Sequence, residues 1–329
     1  MSQRRMIVRE EAWNIEGGFN ISRGRRSVAE VVTIELHENG VRGRGECVPY
    51  KRYGETKESS AAEIERLRHP IEDGSLDREA LQSLMGPGAA RNALDCAMWD
   101  LEAKLKDTPV WQLAGLPQPR PFVTAFTISL GTPKEMGVAA RKHADRPLLK
   151  LKLGGENDIA RVRAVRENAP ATTIIVDANE AWTPVMVAEY GGELAKLGVK
   201  LVEQPLPAGS DSVLDGLGRA VPVCADESFH DHDSIREVSH RYDFVNVKLD
   251  KTGGLTEAIR VVSAAKQIGL GVFIGCMVGT SLGMAPAALL GPLAAYVDLD
   301  GPLLLSEDRE NGFVYENSLM KPASRELWG

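Results

Sequence analysis

Residues 148–152 (LLKLK), 173–179 (TIIVDAN), 200–205 (KLVEQP), 223–228 (VCADES) and 244–254 (FVNVKLDKTGG) share one pattern: a short apolar run that closes on charged or polar residues. The closing residues are Lys150 and Lys152, then Asp177, Glu203, Asp226 and Lys248. They recur at intervals of about 25 residues, the length of one strand, one helix and two short loops. A buried strand has no reason to end in charge unless its C-terminal end opens on a shared mouth, which is how a parallel α/β barrel places residues from several strands together.

Outward from that stretch the same alternation continues. Strands are expected over 122–130, 148–153, 173–176, 200–203, 221–225, 244–247, 271–274 and 295–299, with helices such as 158–168, 185–197 and 255–268 between them. Eight strands at this spacing, with no Gly-x-Gly-x-x-Gly turn and no P-loop, argue for a closed barrel rather than an open doubly wound sheet. Residues 27–37 and 41–48 read instead as an antiparallel hairpin across Glu38-Asn39-Gly40, followed by helices over 59–68, 77–84 and 89–106. In the last of these Ala93, Cys96, Ala97, Leu101 and Leu105 form one stripe. The expected architecture is an α/β protein: a (β/α)7β-type, TIM-like barrel at 116–305, an N-terminal α+β capping domain at 1–115, and a segment at 306–329 that returns to the cap as a strand around Tyr315.

The chain has 329 residues and 43% apolar content, enough for such a core. Its net charge of −7 comes with no basic run, which argues against nucleic acid and anionic membranes and for a small-molecule partner. There is no apolar segment behind the first arginines and no span-length apolar run, so a cytoplasmic location is expected. Cys47, Cys96, Cys224 and Cys276 show no paired spacing, and buried thiols are expected rather than disulfides or zinc.

Asp177, Glu203 and Asp226 from successive strand ends bring three carboxylates together, and like charges that close stay ionised only around a cation. Ligands that are all oxygen select a hard ion, and Mg²⁺ fits best. Each carboxylate alone also reads as a helix N-cap; three in phase favour the metal. Lys150 and Lys152 alternate on one inward face, with Lys152 as a base of depressed pKa and Lys150 as its electrostatic neighbour. Lys248, four strands on, faces them across the mouth. Two lysines over a metal can move a proton on either face of a carbon next to a metal-held carboxylate, although lysines that merely pair with the carboxylates remain the competing reading. Asp298 and Asp300 share a face on the last strand and suit a substrate ammonium, while Asp-Gly before Pro302 is equally a turn signal. Arg23, Arg25 and Arg26 lie in a glycine-flanked loop, 17–26, able to close over the mouth and take a carboxylate.

These motifs, in this order, resemble the enolase superfamily in its muconate lactonising subgroup. Asp298-x-Asp300 before Gly301-Pro302, with Tyr50–Glu55 (YKRYGE) and Ile21–Arg25 (ISRGR), is similar to the L-Ala-D/L-Glu dipeptide epimerases within it. The resemblance implies Mg²⁺ on Asp177, Glu203 and Asp226, and Lys152 and Lys248 as paired acid/base residues working through an enediolate. It also implies Asp298 and Asp300 on a dipeptide's α-ammonium. Thr127, Lys150, Cys276 and Met277 would line the substrate pocket, and Arg23 would meet a glutamate side-chain carboxylate. N-acylamino-acid racemases, o-succinylbenzoate synthases and muconate cycloisomerases use related parts but lack a substrate ammonium. The acid-sugar dehydratases of the superfamily need a histidine on the seventh strand, and residues 271–275 (GVFIG) offer none. The residues Leu282-Gly283-Met284 stand where some relatives are polar, which bears on side-chain preference. A homo-oligomer is compatible with all of this.

Overall fold

A computed structural model describes residues 4–329. Three long antiparallel strands open the chain: β1 (Arg5–Ile21), β2 (Gly24–Glu38) and β3 (Val41–Cys47). Asn39 and Gly40 carry the β2–β3 turn with φ of 50° and 78°, a conformation that asparagine and glycine tolerate best. The expected loop at 17–26 is instead the far end of the β1–β2 ribbon. After a bulge between Asn14 and Phe19 the ladder resumes and runs to Ile21 opposite Gly24, which leaves Ser22-Arg23 as a two-residue turn. A bulge sharpens the twist of a ribbon, and here the tip reaches the barrel, where Leu130 N–H donates to Asn20 O at 3.0 Å.

Four helices follow, α1 (Lys57–Glu65), α2 (Arg68–Glu72), α3 (Arg78–Leu84) and α4 (Ala89–Leu105). The α4 helix is buried on two sides rather than along a single stripe, and Leu105, expected inside, is 38% exposed. One side meets β3, where a Cβ at Gly45 would stand 2.0 Å from Ala93 O; only glycine lets strand and helix approach this closely. The other side is polar and faces the barrel. Trp99 Nε1 donates to Thr256 Oγ1 at 2.9 Å, and Asn92 Nδ2 to Asp250 Oδ1 at 2.8 Å.

The barrel is eight parallel strands in sequence order: β5 (Phe126–Ile128), β6 (Leu148–Lys152), β7 (Thr173–Asp177), β8 (Val199–Glu203), β9 (Val223–Ala225), β10 (Phe244–Val247), β11 (Gly271–Gly275) and β12 (Tyr296–Asp298). No ladder joins β12 to β5, but Ala125 N–H donates to Val297 O and Leu299 N–H to Thr124 Oγ1, both at 2.8 Å, so the barrel is nearly closed. The run 122–130, expected as one strand, is two. Residues of β4 (Phe122–Val123) pair with a C-terminal hairpin, β13 (Tyr315–Glu316) and β14 (Leu319–Met320), before the chain steps into the barrel. That hairpin is where the strand at Tyr315 goes, so it does not join the cap sheet. The segment does return to the cap, through Ser306 N–H to Asn14 O at 2.8 Å, Arg309 to Glu11 and Glu46 at 2.7 Å, and at its end Trp328 Nε1 to Cys96 O at 3.1 Å and Gly329 N–H to Asp100 Oδ1 at 2.7 Å.

Alternation along the strands explains the interior. Ala125, Leu148, Ile175, Leu201, Cys224 and Phe273 make one apolar layer inside the barrel. The residues two further along β6 to β9 are Lys150, Asp177, Glu203 and Asp226, which share the inward face one pleat nearer the C-terminal mouth. The intervening residues, among them Leu149, Leu151, Val176, Val202 and Val223, pack outward in the core shared with the surrounding helices. No helix among the described residues is long and apolar enough to cross a membrane.

Candidate active site

The polar layer at the mouth brings Asp177, Glu203 and Asp226 together, each offering a carboxylate oxygen within 4.8 Å of the others and all three buried. Burial and then the charge of Asp177 push Glu203 up to about 7, which measures the strain of crowding these groups in low dielectric. Burial also opposes ionisation of Asp226, but Lys248 and Lys251 overcome it and hold that carboxyl well below its ordinary value. Lys248 Nζ donates to Asp226 Oδ2 at 2.7 Å, and Lys152 Nζ to Asp177 Oδ2 at 2.6 Å. Each flank of the triad therefore carries one lysine, from strands four places apart in an eight-strand barrel.

Lys150 behaves differently from the expectation that it lines the substrate pocket. It is 1% exposed, absent from the cleft wall, and its Nζ lies 2.6 Å from Glu203 Oε2, 2.8 Å from Asp298 Oδ2 and 3.5 Å from Asp177 Oδ2. Two residues of strand place it one pleat deeper than Lys152, beneath the mouth rather than in it. Burial acts to lower its pKa, but Asp298, Glu203 and Asp177 outweigh that and raise it well above the ordinary lysine value. Lys248 is raised in the same way by Asp226 and Glu203. Lys150 and Lys248 are thus held charged by the field of the protein's own carboxylates.

Above this layer lies a cleft of about 660 Å³, open to solvent, between the barrel mouth and the cap. Lys152, Lys248, Asp226, Thr127, Cys276, Met277, Asp298 and Asp300 all reach its wall, as does Arg23. Asp298 and Asp300 point the same way. Thr127 N–H donates to Asp300 Oδ2 at 2.6 Å, and burial followed by the neighbouring Asp298 pushes Asp300 up to about 7. Cys276 is the one cysteine not fully buried, because it faces the cleft. Arg23 is already engaged: its guanidinium donates to Glu227 Oε1 at 2.6 Å, Glu180 Oε2 at 3.0 Å, Asn179 O at 3.2 Å and Tyr50 OH at 3.3 Å.

Several residues at the site escaped the sequence reading. Lys251, buried, donates to both Asp226 Oδ1 and Asp226 O; its place three residues after Lys248 at a helix start was a usable signal. Asn246 Nδ2 donates to Glu203 Oε1 at 2.7 Å, and a lone amide two residues before Lys248 in an apolar strand was visible too. Glu227 and Asn179 adjoin the quoted carboxylates, line the cleft, and each has a buried oxygen without a protein partner. Nothing in the sequence pairs Glu227 with Arg23 across 204 positions.

Residues 3–115 match the N-terminal domain model of mandelate racemase / muconate lactonizing enzyme, and residues 135–323 the enolase C-terminal domain-like model. The chain belongs to the enolase superfamily. Among its relatives in that superfamily, the L-Ala-D/L-Glu epimerase of Escherichia coli K12 is 44% identical over 309 residues, 93% of this chain and 96% of that one. The N-acetyl-D-glutamate racemase of a Pseudoalteromonas species is 43% identical over 303 residues, 91% of this chain and 95% of that one. An enolase family member from Agrobacterium tumefaciens with homology to dipeptide epimerases, solved with sodium and L-Ala-L-Glu, superposes with a TM-score of 0.97 at 49% identity, covering 99% of this chain and 100% of that one. A dipeptide epimerase from Enterococcus faecalis complexed with Mg and L-Leu-L-Tyr has a TM-score of 0.91 at 27% identity over 100% and 99% of the two chains.

Proposed function

We propose that this enolase superfamily member is an isomerase, a Mg²⁺-dependent dipeptide epimerase that inverts the α-carbon of the C-terminal residue of L-Ala-D/L-Glu. The observation that carries the proposal is a buried carboxylate triad flanked on opposite sides by Lys152 and Lys248, with Asp298 and Asp300 on the same cleft wall. The donor set is all oxygen, and its crowding lifts Glu203, so the residues suit a hard divalent cation on Asp177, Glu203 and Asp226. When bound, Mg²⁺ would hold the substrate carboxylate and stabilise the negative charge that builds on it as the α-proton leaves.

The chain's own groups do the rest. Lys152 Nζ and Lys248 Nζ stand on the two sides of the triad, one to take the α-proton and the other to return a proton to the opposite face of the carbon. Lys150 holds Glu203 from below, and Lys251, past the end of β10, holds Asp226. Asp298 and Asp300 receive the α-ammonium, and Thr127, Cys276 and Met277 wall the dipeptide. Sequence resemblance assigns the side-chain carboxylate to Arg23. A cytoplasmic role in recycling cell-wall peptide fits a substrate containing D-glutamate.

The Pseudoalteromonas relative supports a second reading, racemisation of an N-acylated glutamate at the same mouth. Two carboxylates at the amine end favour the dipeptide, because an acylated nitrogen carries no charge for them to bind. Incubation with L-Ala-D-Glu or with N-acetyl-D-glutamate, each with Mg²⁺ in D₂O, separates the two. Deuterium at the glutamate α-carbon of the dipeptide is expected, with loss on chelation by EDTA. Exchange confined to the N-acetyl compound would replace the proposal with the second reading.

A further inference from the structure

The barrel-facing side of α4 carries three buried polar residues, Arg91, Asn92 and Asp95, and each takes hold of the chain that follows Lys248. Arg91 Nη2 donates to Thr252 O at 2.7 Å and Nε to Gly253 O at 3.1 Å, while Nη1 donates to Gln82 O and Met85 O within the cap. Its guanidinium is thus committed to four backbone carbonyls. Asn92 Nδ2 donates to Asp250 Oδ1 at 2.8 Å, and Val48 N–H, also from the cap, donates to the same oxygen at 3.0 Å. Asp95 accepts from Thr256 N–H at 2.9 Å and from Thr256 Oγ1 at 2.6 Å, which caps the start of the helix Leu255–Gln267 from another domain. The approach is close: a Cβ at Gly253 would stand 2.4 Å from Arg91 Nε, and one at Gly254 2.5 Å from Asp95 Oδ2.

What these residues grip is a single helical turn, Leu249–Thr252, with Lys248 as its N-terminal flank. Lys248 O accepts from Lys251 N–H at 2.9 Å and from Thr252 N–H at 3.0 Å, so the backbone of Lys248 moves with the turn. Lys248 and Lys251 lead from the turn to Asp226, and Asp250 leads from it to the cap. The loop after Lys152 is tied differently. Gly154 N–H and Gly155 N–H donate to Asp158 at 3.1 and 2.7 Å, and Trp182 Nε1 donates to the same carboxylate at 2.7 Å. All of those partners belong to the barrel.

We propose that Arg91, Asn92 and Asp95 are positioning residues, a brace by which α4 of the cap sets the place of Lys248 while Lys152 is set by the barrel alone. This rests on the two-base dipeptide reading. The consequence is an imbalance that general loosening would not produce. In D₂O, Lys152 takes the α-proton of one epimer, and the electron pair left on carbon passes into the carboxylate as an enediolate. A deuteron then returns either from Lys248, with inversion, or from Lys152 after its ammonium has exchanged with solvent, with retention. Displacing Lys248 slows only the first of these returns. For the other epimer Lys248 must itself take the proton, so exchange and inversion fall together.

The test starts from L-Ala-L-Glu and, separately, L-Ala-D-Glu with Mg²⁺ in D₂O, and measures α-deuterium gained with retention against that gained with inversion. The enzymes are wild type, Arg91→Met, Arg91→Lys, Asn92→Ala, the reference Lys248→Ala, and Arg309→Met, which cuts a cap–barrel clamp to Glu11 and Glu46. For one epimer, Arg91→Met and Asn92→Ala are expected to raise the ratio of retention to inversion by about tenfold or more, since a misplacement of about 1 Å can cost about 10²-fold. Lys248→Ala should show the same bias in its extreme form, Arg91→Lys should recover part of the wild-type ratio, and Arg309→Met should slow both outcomes in proportion. Circular dichroism establishes folding, and Asn92→Ala and Arg91→Lys carry the test if Arg91→Met does not fold. Brace variants that lose rate at the wild-type ratio, or an Arg309→Met enzyme that shifts the ratio as much as they do, overturn the brace and leave the dipeptide reading standing. A Lys248→Ala enzyme that still inverts, or a wild type that exchanges neither epimer, overturns both.

Discussion

Replacing Lys150 by methionine, of similar length and no charge, removes the one cation that lies among Glu203, Asp298 and Asp177 at 2.6, 2.8 and 3.5 Å. All four groups are buried, so water cannot take over the lost partner. Breaking a buried pair from one side costs about 3–5 kcal/mol, because it leaves uncompensated charge behind, and here Glu203 and Asp298 lose their ion-pair partner while Asp177 keeps Lys152. The sign with pH follows from those carboxylates. Without Lys150 the Glu203 carboxyl rises further, and a group with a raised folded pKa contributes stability below its unfolded value that is lost as pH rises through the folded one. Glu203 already stands at about 7 with Lys150 in place. The penalty for Lys150→Met should therefore be full at pH 8 and shrink toward pH 4, where Glu203 is protonated. Urea unfolding in EDTA at the two pH values measures it, and saturating Mg²⁺ at pH 8 should recover part of the loss by supplying charge to the same oxygens. A loss under about 1 kcal/mol, or one that is the same at both pH values, would show that Lys150 does not hold this charge balance.

Lys152→Ala and Lys248→Ala should each reduce epimerisation by about 10²-fold to 10⁴-fold, the contribution of a positioned proton-transfer group. Proton NMR in D₂O checks this, and full activity in either variant would remove the two-base mechanism. Asp298→Asn should weaken L-Ala-D-Glu turnover more than that of N-acetyl-D-glutamate, since only the dipeptide carries an ammonium; equal losses on both would place Asp298 in the scaffold alone. Asp250 is held at about 7 by burial between Val48 and Asn92, so its folded form keeps a proton that the unfolded chain releases, and wild type should lose stability as pH climbs from about 4 through 7. Asp250→Asn should flatten that slope by up to about 4 kcal/mol in thermal unfolding at pH 5 and pH 8, and an unchanged slope would assign it to other groups.

The barrel was legible because its strands obey one rule that burial imposes: a run fit for the interior, ended by residues that the interior rejects. That rule places Asp177, Glu203 and Asp226 on their strands and gives the lysines their inward face. Where a segment answers to two neighbours the rule fails. The run 122–130 has strand character throughout, yet its first residues pair with a hairpin almost 200 positions away, at Leu319 and Met320. The α4 helix shows a one-face stripe, yet it buries Asp95, Asp100 and Asn92 because the barrel and the C-terminus supply their partners.

The same distinction separates the reaction from the substrate. Lys150 and Lys152 are identical by residue type and by face, and only the rise between them, about 7 Å for two residues, puts one under the triad and the other on the cleft wall. That difference can be worked out from the strand alone. The difference between Arg23 and Arg26 cannot. Both sit on one ribbon tip within reach of the cleft, and what divides them is that Glu227, from a loop after β9, has taken one and left the other. A proton-transfer mouth is built from strand ends whose spacing is local and periodic, so it can be read along the chain. The pairing of Arg23 with Glu227 joins positions 204 residues apart, and it exists only once the fold has brought the cap and the barrel together.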